Sequence, residues 1–268
     1  MPKRILMCPP TYFDIDYEIN PWMHTDNRVD HDLAQKQWEQ IKDIYLRLGN
    51  TVEVLEPVKG LPDLIFTANA ALVIGGKAML ARFRYPQRQG ETKYNQAWLE
   101  ANADRIGITD IRLSRHNFEG EGDALFTGDT IIAGYGPRSD QAAHQELAEF
   151  FNLKVISVKL VDPYFYHLDT CFSPLSQGVA MYLPAAFDAD GVAALKGHFK
   201  TLITATPREA AAYGLNAVSD GHNVVMSNMA PTLARQLKEH GFNPITTPIT
   251  EFHKSGGAVR CVTLELRS

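Results

Sequence analysis

The sequence predicts a mixed α/β protein whose sheets are assembled from ββα-type modules. Apolar extended runs alternate with helical patterns from one end of the 268 residues to the other. Strand patterns come in pairs ahead of a helix, as in 64–80 before 91–104 and in 124–133 before 140–151. A doubly wound parallel sheet needs only one strand per helix, so the doubling favours mixed sheets. No repeat, low-complexity segment or linker interrupts the pattern, so residues 1–268 are expected to form one domain.

The individual elements follow from residue periodicity. Strands are predicted where apolar residues alternate or run together, and helices where they recur every 3.6 residues. In the first helix the apolar stripe extends from Leu33 to Leu48, and Gly49 ends it. The predicted strands are 5–8, 52–55, one or two pieces within 64–74, 78–80, 131–133, 155–158, 179–182, 223–226 and a terminal segment, 262–266. The predicted helices are 30–48, 91–104, 140–151, 188–203, 207–213 and 230–240.

The composition argues against several classes of protein. A formal net charge of −5 and a pI near 6.0 are not those of a nucleic-acid binder, so no nucleic-acid partner is expected. No apolar stretch approaches the roughly 18 residues of a membrane span, and no membrane partner is expected either. Cys8, Cys171 and Cys261 form no metal-binding or disulfide pattern, which indicates reduced thiols in the cytoplasm. Neither a metal nor a cofactor is expected.

The C-terminal stretch HKSGGAVRCVTLELRS places two glycines ahead of a cysteine. Gly256 and Gly257 predict a tight turn or a close approach of the backbone to another group. The alternation over 262–266 predicts a half-buried closing strand. Cys261 therefore lies where a loop meets a strand, and it is either a small buried packing residue or a functional thiol.

The stretch YHLDTCFSPL carries a histidine, a carboxylate and a second cysteine. If the segment is extended, His167, Asp169 and Cys171 share one face, because side chains alternate along a strand. A histidine beside carboxylates can carry a proton near neutral pH. The alternatives are that His167 has a structural role and that Cys171 only packs beside it.

The stretch FEGEGDALFTG gathers three acidic residues among glycines, just before an apolar strand. Glu119, Glu121 and Asp123 form either a solvated loop or a binding site for a cation, because clustered carboxylates repel phosphate.

Polar residues also stand at unusual places in two other stretches. Asp63 and Asn69 lie at the mouth of and inside the apolar stretch LPDLIFTANAALV, where a buried amide must bond to backbone or face a ligand. Arg88 and Arg138 supply forked donors suited to a carboxylate.

Taken together, these groups describe a pocket for a small zwitterion. Acidic residues suit a cationic end, arginines suit an anionic end, and a nucleophile lies between them. A guanidino amino acid meets this description. Its resonance-stabilised carbon resists water, so covalent attack by a thiolate is a suitable route. The substrate's own positive charge would also stabilise a nearby thiolate.

Five motifs carry a family resemblance. They occur in the order Phe66–Asn69, Phe118–Asp123, Gly134–Arg138, His167–Thr170 and Gly256–Cys261. In this respect the chain resembles the guanidine-modifying enzymes, which include arginine deiminases, arginine dihydrolases, dimethylarginine dimethylaminohydrolases and amidinotransferases. The resemblance extends over essentially the whole chain.

The resemblance implies a five-bladed α/β propeller of ββαβ-type modules around a central site. It also implies that Cys261 is the nucleophile and that His167 carries the proton. The catalytic carboxylate of the family corresponds to Glu119, but the loop here is one residue longer than the common E-G-G-D form. Glu121 is therefore an alternative.

The resemblance further implies how a small guanidino substrate, arginine or a derivative, is held. Asp169, from the H-L-D-T motif, would bind the guanidinium, whereas dimethylarginine hydrolases tend to have lysine there. Arg88 and Arg138 would bind the α-carboxylate. The substrate-binding residues expected are Asn20, Asp63, Asn69, Arg88, Asp123, Arg138 and Asp169.

Two asparagines favour the arginine dihydrolases, which convert arginine into ornithine, carbon dioxide and ammonia. Deiminases have aspartate where this chain has Asn69, and Asn20 also matches the dihydrolase pattern. An amide can hold the neutral ureido group of citrulline as well as the cation. The alternatives are an arginine deiminase or dimethylarginine dimethylaminohydrolase, an amidinotransferase, and a non-catalytic propeller resembling translation factors.

Overall fold

The computed structural model describes residues 2–267, whose strands form five three-stranded sheets. The strands are β1 (Arg4–Met7), β2 (Thr51–Val54), β3 (Ala71–Ile74), β4 (Lys77–Leu80), β5 (Asp110–Leu113), β6 (Ala124–Phe126), β7 (Thr130–Tyr135), β8 (Lys154–Lys159), β9 (Phe172–Ser176), β10 (Val179–Tyr182), β11 (Thr201–Thr204), β12 (Val218–Ser219), β13 (Asn223–Ser227), β14 (Asn243–Thr247) and β15 (Leu264–Glu265). The helices are α1 (His31–Arg47), α2 (Pro86–Gln89), α3 (Glu91–Ile106), α4 (Gly120–Asp123), α5 (Ala142–Phe151), α6 (Ala189–His198), α7 (Pro207–Ala211), α8 (Pro231–Glu239) and α9 (Thr250–His253). Short 3-10 turns span Pro62–Ile65, Thr67–Ala70, Leu168–Thr170 and Pro184–Ala186.

Every sheet has the same internal arrangement. Its middle strand pairs antiparallel with one neighbour and parallel with the other, as β4 does with β3 and β5. A parallel partner cannot be reached by a tight turn, so a helix connects each parallel pair. That helix is α1, α3, α5, α6 or α8, depending on the sheet. The predicted ββαβ modules and five-bladed α/β propeller are confirmed.

The first sheet joins the two ends of the chain. Strand β15 pairs antiparallel with β1, placing Leu264 opposite Leu6 and Glu265 opposite Ile5. On its other side β1 pairs in parallel with β2. The ring of sheets is therefore closed by hydrogen bonds between the first and last strands, and the residues just before β15 are held in place from both sides.

Local chemistry explains the boundaries of helix α1. The carboxylate of Asp30 accepts a hydrogen bond from the backbone N–H of Leu33 at 3.0 Å, which caps the first turn. Gly49, with φ of +81°, lets the chain leave the helix in the left-handed region. Trp38 and Ile41 lie on the buried stripe that the periodicity predicts.

Four predicted elements are wrong in part. Only Ala71–Ile74 of the predicted strand region 64–74 is a strand, because 3-10 turns at 62–65 and 67–70 carry the chain inward. The helix predicted at 188–203 ends at His198, since the β-branched run from Thr201 forms β11 beside β10.

The closing strand and the extended segment predicted at 167–171 also differ from expectation. Only Leu264–Glu265 of 262–266 is strand, and Glu265 is buried rather than solvent-facing. Leu168–Thr170 forms a 3-10 turn, so His167, Asp169 and Cys171 do not alternate along one extended face.

Candidate active site

In each sheet, one strand pairs antiparallel with the middle strand; these strands are β3, β6, β9, β12 and β15. The short turns that precede them converge in the middle of the propeller. Turns 67–70, 120–123 and 168–170 pack together, and those at 215–217 and 260–263 complete the set. The backbone N–H of Ala68 donates to the carbonyl of Cys261 at 3.1 Å, which ties the second sheet to the last turn. Side chains that are far apart in sequence therefore meet, because each of them lies in a turn before one of these five strands.

Cys261 is buried at this meeting point. Its thiol donates to Oδ2 of Asp169 at 3.4 Å, and Nδ2 of Asn216 donates to its sulfur at 3.1 Å. Burial, followed by the negative charge of Asp169, raises the pKa of Cys261 well above its usual range. The substrate-free thiol is therefore protonated at neutral pH.

Asn216 is a site residue that the sequence analysis missed. Its Oδ1 accepts the backbone N–H groups of Arg260 and Cys261, at 2.9 and 3.1 Å. Its Nδ2 also donates to the carbonyl of Asp169 at 3.0 Å. The available signal was an amide in the apolar run Leu215–Ala217 just before a strand, which is the pattern that identified Asn69.

His167 is fixed by a buried carboxylate. Its Nε2 lies 2.7 Å from Oε2 of Glu119, which also accepts from Nη1 of Arg138 at 3.0 Å. Burial alone would raise the pKa of Glu119, but Arg138 and the His167 hydrogen bond outweigh it, and the pKa lies well below its usual range. An ionised carboxylate can only accept, so Nε2 of His167 carries the proton and Nδ1 is left for proton exchange.

Four buried polar atoms beside these groups have no hydrogen-bond partner among the described residues: Nδ2 of Asn69, Oδ1 of Asp169, the hydroxyl of Tyr213 and Nε of Arg260. Nη1 of Arg88 donates to Oδ1 of Asn69 at 2.8 Å, which fixes the amide with its NH₂ group turned away from the arginine. A Cβ at Gly122 would overlap Nδ2 of Asn69 and lie 3.3 Å from Nδ1 of His167. Asn69 thus offers one spare donor and Asp169 one spare acceptor.

Asp169 is tuned by its surroundings. Burial raises its pKa to about 7, against the opposing effect of Arg260 and of hydrogen bonds from Cys261 and Asn216.

Several expected substrate-binding residues bond mainly within the protein. Asp123 accepts from Ser139 at 2.5 Å and from the backbone N–H of Leu168 at 3.1 Å, and so positions the turn after His167. Burial raises the pKa of Asp123 to about 6. Arg88 donates to both carboxylate oxygens of Glu91, at 2.8 and 2.9 Å.

Asp63 and Asn20 likewise have protein partners. Asp63 accepts from the hydroxyl of Tyr17 at 2.9 Å and lies 3.8 Å from Nε of Arg88. Asn20 donates to the carbonyl of Ser255 at 3.1 Å and accepts from the backbone of Trp22 at 2.9 Å.

A cavity of about 450 Å³ opens beside Arg138 and is also lined by Asn20, Tyr85 and Tyr166. The Arg138 guanidinium lies between the rings of Tyr85 and Tyr166, at 4.8 and 4.6 Å from their centroids. A larger cavity of about 910 Å³ is lined by the β6–β7, β9–β10 and β12–β13 hairpins and contains neither Cys261 nor His167. The smaller cavity is not lined by Cys261 or His167 either, but it adjoins the candidate site through Arg138, which donates to Glu119.

Glu121, the alternative catalytic carboxylate, contacts different groups from Glu119. It forms ion pairs with Arg260, at 3.3 Å, and with Arg267. Both arginines also pair with Glu265, each at 3.2 Å. This cluster connects the turn before β15 with the turn before β6.

Within residues 2–267, no group of three or more histidine, cysteine, aspartate or glutamate side chains could hold a metal ion. No helix of this range is long and apolar enough to cross a membrane.

Comparison with known proteins places the chain in a family. Residues 7–268 match the eukaryotic N,N-dimethylarginine dimethylhydrolases. The chain belongs to this dimethylarginine dimethylaminohydrolase family. The family consists of hydrolases that act on guanidino carbon–nitrogen bonds with a catalytic cysteine, so the predicted resemblance and enzyme class are confirmed.

Two curated family relatives are similar to nearly the whole chain. The dimethylarginine dimethylaminohydrolase of Mycobacterium tuberculosis is 42% identical over 264 residues, covering 98% of this chain and 86% of the relative. The bifunctional arginine dihydrolase/ornithine cyclodeaminase ArgZ of Synechocystis is 41% identical over 269 residues. That match covers 98% of this chain but only 37% of ArgZ.

Solved structures agree with the family assignment. The N-terminal domain of ArgZ, as a Cys-to-Ser mutant bound to substrate, superposes with a TM-score of 0.92 at 40% identity, covering 99% of this chain and 98% of that one. The dimethylarginine dimethylaminohydrolase of Pseudomonas aeruginosa, in complex with citrulline, has a TM-score of 0.82 at 18% identity over 99% of both chains, which shows the shared fold.

Proposed function

We propose that this chain hydrolyses arginine to ornithine, carbon dioxide and ammonia through a covalent intermediate on Cys261. The observation that carries the proposal is the pair of unpartnered atoms, Nδ2 of Asn69 and Oδ1 of Asp169, in the site that holds Cys261 and His167. A buried polar atom without a partner is costly in a folded protein unless a ligand uses it.

The first half-reaction begins with the positive charge of the substrate. The guanidinium donates to Oδ1 of Asp169, and its charge stabilises loss of the Cys261 proton to His167. The sulfur then forms a bond to the guanidino carbon. The bond from that carbon to a terminal nitrogen breaks, and the nitrogen leaves as ammonia with the proton supplied by His167.

The second half-reaction uses water. His167 removes a proton from a water molecule that attacks the amidino carbon, and the carbon–sulfur bond breaks. The product is citrulline, and the thiol is restored. Glu119 supports both steps by holding the imidazolium form of His167 and fixing the ring.

Asn69 favours a second round of hydrolysis. Its amide is fixed by Arg88 with a donor toward the site, and a guanidinium, which has only donors, cannot use it. The ureido oxygen of citrulline can. Citrulline therefore finds an acceptor at Asp169 and a donor at Asn69. Its terminal nitrogen leaves as a second ammonia, and water then cleaves the thiocarbamate on Cys261 to give the carbamate of ornithine and the free thiol. The remaining carbon–nitrogen bond of this carbamate breaks as the nitrogen takes up a proton, which releases carbon dioxide and ornithine.

We also propose that Arg138, at the edge of the smaller cavity, pairs with the α-carboxylate of the substrate. It lines the cavity while keeping its bonds to Glu119 and to the carbonyl of Ile19.

A cytoplasmic location fits three cysteines that are all unpaired.

One alternative has a specific observation in its favour. The 42% identity to the M. tuberculosis enzyme favours dimethylarginine as the substrate, with dimethylamine as the leaving group. The same thiol and histidine would serve, because only the leaving amine differs.

A product assay separates these candidates. The purified chain is incubated with arginine, dimethylarginine or citrulline, and the products are identified by mass spectrometry. We expect ornithine from both arginine and citrulline. Citrulline that accumulates from arginine without ornithine would reduce the function to a deiminase, and turnover of dimethylarginine alone would favour the alternative. A new guanidino product formed on adding glycine or lysine would indicate an amidinotransferase.

A further inference from the structure

Asn216 makes four hydrogen bonds in a space with no exposed surface. Its Oδ1 accepts from two successive backbone N–H groups, those of Arg260 and Cys261. Backbone N–H groups can only donate, so the amide has a single possible orientation, with its NH₂ group toward the sulfur of Cys261 and the carbonyl of Asp169. The side chain thus forms hydrogen bonds with both the backbone N–H and the sulfur of Cys261.

The sulfur has different partners before and after it loses its proton. As a thiol it donates to Oδ2 of Asp169 at 3.4 Å. As a thiolate it has no proton to donate, and the carboxylate of Asp169 then repels it. The Nδ2–H of Asn216, 3.1 Å away, is a weak partner for a thiol but a strong one for a thiolate, because hydrogen bonds to charged acceptors are the stronger ones.

We propose that Asn216 is a further catalytic residue, whose side-chain amide holds the sulfur of Cys261 in position and stabilises it as the attacking thiolate. This inference rests on the proposed role of Cys261 as the nucleophile. It separates two tasks within one amide: Oδ1 shapes the turn at residues 260–261, and Nδ2 serves the sulfur.

Other charged or titratable groups also surround the sulfur. Asp169 and Tyr166 act on it from the segment before β9, Tyr213 from the segment after α7, and Arg260 lies next to it in the chain. Replacement of Asn216 by alanine removes the amide and alters the charge of none of these groups. A change in the ionisation of Cys261 on such an alteration therefore reports on the amide itself.

The test uses two substitutions of Asn216 that remove different hydrogen-bonding groups. Asn216→Asp keeps an oxygen acceptor for the two backbone N–H groups and removes the donor, whereas Asn216→Ala removes both without adding charge. The pH dependence of Cys261 alkylation by iodoacetamide, followed by peptide mass spectrometry, gives the thiol pKa in each protein. Asn50→Asp is the matched control, since its Oδ1 accepts the backbone N–H of Lys3 at 2.8 Å, away from the site.

We expect the pKa of Cys261 to rise by about one to two units in both Asn216 variants and kcat for arginine to fall about 10- to 100-fold. Asn50→Asp should change neither. An unchanged pKa in both variants would overturn the proposal, even if kcat and Tm fell, because the role would then be structural. A rise in Asn216→Asp but not in Asn216→Ala would also overturn it, since the added charge would be the cause.

A measurement on the unaltered chain covers the case in which neither variant folds. With ¹⁵N-labelled asparagine, one side-chain NH₂ signal should shift with pH at the midpoint of Cys261 alkylation. That shift should vanish in Cys261→Ala. If no asparagine signal follows the thiol, the proposal is wrong. Neither readout requires turnover, so a failure of the proposed arginine hydrolysis would remain distinguishable from a failure of this inference.

Discussion

The three cysteines of this chain are all buried, and their neighbours differ in kind. The sulfur of Cys8 lies near the carbonyl of Pro9, and that of Cys171 near the carbonyls of His167 and Leu168. Only Cys261, among the described residues, has its sulfur between a carboxylate and an amide. We therefore expect the partners of each thiol, rather than its burial, to distinguish the reactive cysteine.

Replacing Cys261 and Cys171 by serine, one at a time, tests this distinction. We expect Cys261→Ser to lower kcat about 10³-fold or more, because an alcohol is far less acidic than a thiol and therefore a far poorer nucleophile. Arginine should still bind, as measured by calorimetry. Cys171→Ser should retain turnover and lose at most some stability, and the reverse pattern of activities would refute the nucleophile assignment.

The carboxyl of Asp169 sets a second expectation at this scale. Its pKa is raised to about 7, so the group is ionised above that pH and neutral below it. A neutral group no longer attracts a guanidinium, so kcat/KM for arginine should fall as the pH drops through about 7. Asp169→Asn should abolish this acidic limb and most of the activity, whereas Asp123→Asn should leave a limb near pH 7. A limb unchanged in Asp169→Asn would contradict the assignment.

At the scale of elements, the candidate site is built from the short turns that precede β3, β6, β9, β12 and β15. At two places, Gly122 and Gly257, the neighbouring segments come so close that no side chain fits. A Cβ at Gly122 would overlap the Asn69 amide, and one at Gly257 would overlap the ring of Phe66. The glycines of the C-terminal stretch are thus explained by close approach, as the sequence predicts.

Gly122→Ala should displace Asn69 and crowd His167, and we expect kcat/KM for arginine to fall about tenfold or more while the fold is retained. Gly197→Ala is the control, because Gly197 lies on helix α6 with nothing within 4 Å of an added Cβ. That variant should keep full activity and gain slightly in Tm, since alanine favours the helix. Equal activity in the two variants would show that the turn tolerates a side chain.

At the scale of the whole molecule, an ion cluster joins the end of the chain to its middle. Glu121, from the third sheet, pairs with Arg260 and Arg267 on either side of β15. Glu265 pairs with both arginines and with Lys3, at 2.7 Å. Two buried carboxylates thus share three cationic partners where the ring closes.

Replacing the two glutamates of the acidic loop should consequently have different effects, one on stability and one on turnover. Glu121→Gln leaves buried arginines short of a partner, and we expect a loss of about 3–5 kcal/mol in the free energy of unfolding, measured in urea. Molecules that remain folded should still turn over arginine. Glu119→Gln should instead lower kcat about 100-fold or more through His167. Loss of turnover without loss of stability in Glu121→Gln would make Glu121 the catalytic carboxylate.

Much of this protein was determined by its sequence alone. The doubled strands predicted the modules, because local periodicity reflects local burial, and the five motifs predicted the family and the residues Cys261, His167 and Glu119 as candidates. The tertiary structure decided what depends on contacts between distant segments. It separated Glu119 from Glu121 by their partners, showed that 3-10 turns replace strand within 64–70, and brought Asn216 to the sulfur of Cys261. Such pairings depend on closure of the ring, in which residues more than 40 positions apart become neighbours, and no periodicity records them.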